Sequence, residues 1–417
     1  MIRHILKLIH TQRRNNGWIF AELMVVFILI WLMVDYFLVQ GVLYSQPTGQ
    51  SIDNVYKITL ARRPSNSPSF IPYEKESEEP VNNILRIFDR IQHHPDVEIA
   101  CLSYYSLPYV RSNITGRCKN DTVFAGCVIR SVTPAYFSVF GIRTADGREP
   151  EVLSQALRKG AVFSATLAER LYGTNDVRGR YYTIGEDSVR YQVQEVSVPV
   201  KGNEYELPVS VRFELLDRYQ IKDWTEERLA KLDICFRTRP GIPVAGYAER
   251  FKKEMKQPLA IGNFWVSDVR AYEGLRREFL DNSVQASNAK VNLYIEIFFL
   301  VNIFLAVIGM FWFRVNRRRS EFGLRMSVGS TRRDIMKMMI LEGLLLLTFM
   351  AIPGVIIGAN LYWLGILPEK GMALSTGRFV AVSVITWVLL AAVIILAIWY
   401  PARKASRLAP AEALHYE

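Results

Sequence analysis

The sequence predicts an α+β membrane protein: four transmembrane helices carry a large extracytoplasmic domain, built from a split ferredoxin-like βαβ/βαβ subdomain and an inserted, mostly β subdomain. Three observations lead there. Half of the 417 residues are apolar while 22% are charged, and the two kinds are segregated along the chain. Charge-poor runs at 18–44, 291–313, 338–362 and 379–400 surround a polar middle, and each is long enough to cross a bilayer. Fifteen of the 51 Lys/Arg fall in segments 1–17, 314–337 and 401–417, a bias that places those segments in the cytoplasm and residues 45–289 outside. The net charge of +11 is therefore a topology signal, suited also to anionic lipid, and no nucleic-acid-binding spacing accompanies it.

From the start, Ile2, Ile5, Leu6 and Ile9 make one helical face and Arg3, Lys7, His10 and Arg14 another, an interfacial amphipathic helix over 1–17. Trp18–Tyr44 is too long for a signal-peptide core and no small-x-small cleavage site follows it, so it reads as an uncleaved span with its N-terminus inside. Its acids, Glu22 and Asp35, suit snorkelling or inter-helix hydrogen bonding better than an ion pathway.

The middle domain opens with a strand at Val55–Ala61, a helix at Val81–His94 and a strand at Val97–Tyr104. The same order recurs near its end, with a strand at Leu232–Thr238, a helix at Val244–Lys256 and a strand at Leu259–Val269. Two βαβ units at the ends of one domain predict the split sandwich, with an insertion at about 122–224. Short alternating strands fill that insertion (Val123–Val132, Ala161–Phe163, Tyr181–Ile184, Tyr191–Val198, Val209–Leu215), with short helices at Pro134–Phe140 and Thr166–Tyr172. From Leu275 a helix runs without Pro or Gly into the second span, 291–313, which predicts a single long rod. Glu296 and Asn302 on that span are expected to contact other helices. In the third span, 338–362, Pro353 predicts a kink, and Gly354 with Gly358 permits close helix approach. A short loop, 364–378, precedes the uncharged fourth span, which Pro401 ends.

The segment between the second and third spans is the densest in signals. From Arg314 to Lys337 it holds eight Lys/Arg and two acids. Glu321 and Arg325 are spaced for a helical ion pair. Gly329 suits the left-handed end of that helix, and Thr331 with Asp334 forms an N-cap signature for the next. Apolar residues fall on two narrow stripes, Phe322/Met326 and Leu324/Val328, as fits a helix held between a membrane surface and a second body. The plainer alternative is an interfacial helix that only sets topology.

The run Arg-x-x-x-Glu321-Phe322-Gly323-Leu324-Arg325-x-x-x-Gly329-Ser330-Thr331-Arg332-x-Asp334-Ile335 resembles the cytoplasmic signature of the MacB/FtsX-type ABC transporter permeases. The tail Pro401-Ala402-Arg403 to Ala409-Pro410-Ala411-Glu412-Ala413-Leu414 resembles that family's C-terminus. Val132-Thr133-Pro134-Ala135-Tyr136-Phe137 to Gly141-Ile142, Asp146-Gly147-Arg148-Glu149 and Ala168-Glu169-Arg170-Leu171-Tyr172-Gly173 resemble MacB-type periplasmic domains. The resemblance implies a multi-pass permease of the bacterial inner membrane with both termini cytoplasmic and the large domain periplasmic. It further implies that Glu321, Phe322, Gly323, Arg325, Gly329, Arg332 and Asp334 dock onto a separate ABC ATPase subunit, which binds the ATP and Mg. The remaining implied partners are a second permease copy or paralogue, and a periplasmic adaptor or outer-membrane protein. ATP hydrolysis would then move the periplasmic domain to export or extract a lipoprotein, peptide or drug-like substrate. An FtsX-like regulator of a cell-wall hydrolase is the alternative.

The chain contains no G-x-x-x-x-G-K-[ST], G-x-S-x-G or H-E-x-x-H, so no phosphate-loop or hydrolase chemistry is expected of it, and no directly bound cofactor. The four cysteines, Cys101, Cys118, Cys127 and Cys235, include no C-x-x-C, and the histidines do not cluster with them, which argues against zinc. Outside the cytoplasm, Cys118 and Cys127 are placed to pair across a short loop; buried free thiols are the equal alternative.

Overall fold

The computed structural model describes residues 13–74, 77–110, 112–185, 189–317, 319–365, 372 and 375–405. Most of the expected N-terminal amphipathic helix, the tail from 406 onward and the Glu22 side chain lie outside the described set. In chain order, α1 (Arg13–Ser45) is followed by β1 (Val55–Arg62), α2 (Glu79–Gln92), β2 (Val97–Tyr104), β3 (Ile114–Lys119) and β4 (Phe124–Val132). Next come α3 (Tyr136–Val139), α4 (Pro150–Leu157), β5 (Ala161–Ser164), α5 (Ala165–Tyr172), β6 (Tyr181–Ile184), β7 (Tyr191–Ser197) and β8 (Val211–Leu215). The domain ends with α6 (Arg218–Ile221), α7 (Glu226–Leu229), β9 (Asp233–Thr238), α8 (Tyr247–Met255), β10 (Phe264–Ala271) and α9 (Tyr272–Asp281). Four helices complete the chain: α10 (Val284–Arg317), α11 (Arg319–Ser327), α12 (Arg332–Trp363) and α13 (Thr376–Ala405). Two compact units result, Leu43–Ala286 and the combination of Met1–Val42 with Ser287–Glu417.

In the α/β unit the strand order begins β10-β1-β9-β2, antiparallel throughout, which is the ferredoxin-like order for two βαβ units. Strand periodicity sorts the side chains: Tyr56, Ile58, Ile234 and Phe236 point to one core, and Val55, Cys101 and Cys235 to another. The first core is closed by α2, whose Val81, Ile84, Ile87 and Ile91 recur at helical spacing and are fully buried, and by Tyr247 and Phe251 of α8. Tyr136, Phe137, Phe140 and Tyr272 fill the second. The inserted strands continue the same ten-stranded sheet from β2 through β4, with β4–β8 and β5–β7 parallel.

Within the α/β unit, three expectations need correction. Strand β3, with Gly116 and charged residues in alternation, was not anticipated, and it is held along its whole length by β4. Strand β10 starts at Phe264 rather than Leu259: Gly262, at φ +57°, turns the chain first, while Leu259 fills the core from a loop. The single rod expected from Leu275 is broken between α9 and α10. Ser283 Oγ donates to the Leu280 carbonyl at 2.8 Å and accepts from the Ala286 N–H at 3.0 Å. A serine N-cap thus starts a new helix with no Pro or Gly at the junction.

In the membrane unit, Met24–Ser45, Ala286–Met310, Arg332–Trp363 and Thr376–Tyr400 are long and apolar enough to cross a membrane. Phe27, Ile30 and Trp31 of α1 share a core with Ile303 and Val307 of α10, Met338 and Leu347 of α12, and Leu390 and Ile394 of α13. Pro353 lies inside α12. A Cβ on Gly354 would fall 2.6 Å from Phe27 Cδ1, whereas one on Gly358 would meet Phe379 at an ordinary 3.8 Å. Asp35 does form an inter-helix contact: its two carboxylate oxygens accept from Arg378 Nε at 2.7 Å and from a terminal guanidinium nitrogen at 2.6 Å. Arg378 lies in α13 and not in a loop, and the same helix runs past Pro401 to Ala405 where its end was expected at the proline.

Candidate functional site

Helix α11 is short, and its two apolar stripes have different fates. Phe322 is 1% exposed and joins the core of the membrane helices, with Met326 packed partly against it and Gly323 buried beside it. Leu324 and Val328 turn outward, 58% and 81% exposed. Glu321 Oε1 accepts from Arg325 Nε at 3.1 Å and from its terminal nitrogen at 2.8 Å, a brace along the helix.

Gly329 ends the helix at φ +104°, a conformation costly for any residue with a Cβ. Its N–H donates to the Met326 carbonyl at 3.1 Å and the Ser330 N–H to that of Arg325 at 2.9 Å, satisfying carbonyls that a helix end leaves open. Thr331 then caps α12 reciprocally: Asp334 N–H donates to Thr331 Oγ1 at 3.3 Å, and Thr331 N–H to Asp334 Oδ2 at 3.0 Å. Arg332 and Arg333 project from the first turn and are exposed.

The seven residues singled out from the sequence thus fall into separate roles. Glu321 and Arg325 brace α11, Phe322 and Gly323 anchor it inward, Gly329 and Asp334 shape the bend, and Arg332 faces out. Leu324 and Val328, outside that set, supply the exposed apolar face; their spacing of four already marked them as a stripe. The geometry is a helix–bend–helix knob with an apolar tip and a basic flank.

In the α/β unit, Cys118 and Cys127 lie diagonally across the β3–β4 pair with their sulfurs 3.5 Å apart, buried and unbonded. The Cys127 thiol and the Arg212 guanidinium hold Cys118 below the usual thiol range despite burial, and Cys127 is raised in turn. Cys101 and Cys235, also buried thiols, stand opposite one another on β2 and β9.

Comparison with known proteins bears on the membrane unit first. Residues 293–410 match the FtsX-like permease C-terminal domain. The chain is 25% identical over 309 residues to the macrolide export ATP-binding/permease protein MacB of Bdellovibrio bacteriovorus. That alignment takes in 69% of this chain and 44% of the relative, so the chain spans less than half of the relative's length. Similar solved structures include the extracellular domain of the noncanonic ABC-type transporter YknZ from Gram-positive bacteria, at 12% identity and a TM-score of 0.31, covering 51% of this chain and 100% of that one. Another is the periplasmic region of MacB from Actinobacillus actinomycetemcomitans, at 7% identity and a TM-score of 0.33, covering 57% and 96%. The match at 293–410 takes in the whole of α11 and the bend that follows it, and with the MacB alignment it makes the chain similar to the MacB/FtsX-type permeases.

Proposed function

We propose that this permease couples ATP hydrolysis on a separate ABC ATPase subunit to movement of its α/β domain, and so to export or extraction of a substrate. The observation that carries the reading is the outward pair Leu324 and Val328, beside Arg332 and Arg333, on a bend fixed by Gly329. An apolar tip flanked by cations fits a hydrophobic groove with an acidic rim. In this reading the knob faces the cytoplasm, the α/β domain faces the periplasm, and a second permease copy or a paralogue completes the transporter. Because the chain lacks a phosphate loop, ATP and Mg belong to the partner.

The test is co-purification of the co-expressed ATPase with the permease from membranes, at equal permease level, together with stimulated ATP turnover. Leu324→Asp and Val328→Asp place charge on exposed positions, so they spare folding while lowering ATPase recovery about tenfold or more, as expected where a central apolar contact is lost. Gly329→Val acts on the same interface through the backbone. Full recovery and turnover with all three variants would leave the segment as an interfacial topology helix only.

A further inference from the structure

Arg130, on β4, is 2% exposed, and its charge is unanswered. Its terminal nitrogen reaches the Tyr136 hydroxyl at 3.4 Å, and that hydroxyl donates onward to the Ser106 carbonyl at 2.6 Å. The guanidinium carbon stands 5.7 Å from the centre of the Phe213 ring, and Nε has no partner. Among the described residues no carboxylate lies within ion-pair distance of it. The neighbouring strand shows the usual solution: Arg212, 3% exposed, is paired with Glu214 at 3.0 Å. Glu204, reached by the Tyr109 hydroxyl at 2.8 Å, is engaged through the same oxygen by Arg276 at 2.6 Å. A buried cation without a counter-charge is costly, and water can satisfy an N–H without supplying that charge.

Arg130 also lines a pocket of about 390 Å³ within the α/β domain. Leu107, Tyr109, Val209 and Phe279 form its apolar wall, and Asn113, Asn203, Asn282 and Ser283 line its polar side with Arg130. The volume is that of a small-molecule site, and an apolar wall facing a polar side suits a ligand with one apolar end and one polar end. Tyr109 is held at φ +57°, unusual for a residue with a side chain, its N–H bonded to the Gly202 carbonyl at 3.1 Å and its hydroxyl to Glu204. Such strain persists only where the surroundings enforce it. Glu206 reaches the same pocket with a partner of its own, and its negative charge disfavours multiply charged anions.

We propose that this pocket binds a small organic carboxylate with an apolar body, its charge seated on Arg130 and its body against Tyr109 and Phe279. Titration calorimetry of the full chain in detergent tests this with phenylacetate as probe, beside neutral 2-phenylethanol and cationic phenethylamine. Phenylacetate is expected to bind and to raise the melting temperature, with the other two at least about tenfold weaker, as a charged hydrogen bond requires. Arg130→Gln should weaken phenylacetate by about tenfold or more, while Arg130→Met leaves the unliganded melting temperature unchanged or raised, because a buried charge has gone. The proposal is overturned if phenylacetate does not bind, if it binds the Gln variant equally, or if phenethylamine binds more tightly. It is overturned as well if both variants melt well below the parent, since Arg130 would then be holding the fold through Tyr136. None of these readouts needs an ATPase, so failure here is separate from failure of the coupling reading.

Discussion

Asp35 and Arg378 are among the most consequential single residues of the membrane unit. Their side chains are 6% and 1% exposed, and both carboxylate oxygens are engaged. Removing one partner leaves a buried charge uncompensated, at a cost of about 3–5 kcal/mol, whereas replacing both by apolar residues is often close to neutral. Asp35→Leu and Arg378→Leu should therefore each lower the melting temperature in detergent strongly, and the double variant should recover most of the loss. Additive losses would mean that the pair is not coupled. The sequence located Asp35 and left snorkelling and inter-helix hydrogen bonding both open for it, and it did not show the partner. Arg378 lies 343 positions away, at the edge of an apolar run where a charge looks like the end of a helix. The roles of Glu321, Gly329, Thr331 and Asp334 were legible for the opposite reason: each acts on residues three or four positions away.

At the level of elements, the same contrast separates what periodicity reveals from what only packing reveals. Strand β2 and helix α2 carry their own apolar rhythm and are readable directly. Strand β3 carries almost none and exists because β4 pairs with it. The break before α10 depends on one serine hydroxyl, a weaker mark than proline or glycine. The Gly354/Gly358 pair was visible as a motif, yet its two members are unequal in the structure. At Gly354 a side chain would strike Phe27, and at Gly358 it would have room. Gly354→Val should cost about 1–3 kcal/mol, the range for overpacking, and Gly358→Ala much less. Equal melting temperatures for the two variants would show that α1 and α12 are not in this close contact.

For the whole molecule, the coupling reading depends on which face of the membrane the bend at Gly329 meets. From the Lys/Arg bias we propose that the bend at Gly329 faces the cytoplasm and residues 45–289 the far side. The described structure makes a clean measurement available, because all four native cysteines are buried while Ser65 and Ser330 are exposed. Neither serine is at a membrane helix: Ser65 is in the loop after β1, and Ser330 is between α11 and α12. A membrane-impermeant maleimide applied to intact spheroplasts should label Ser65→Cys and leave Ser330→Cys unlabelled until the membrane is permeabilised. The parent chain, with its thiols inside the α/β cores, should stay unlabelled in both conditions and so serves as the control. Labelling of both variants from the same side would contradict the four-span topology. The reverse order would put the Leu324/Val328 knob where no ATP-driven partner could reach it, and the coupling reading would fall with it.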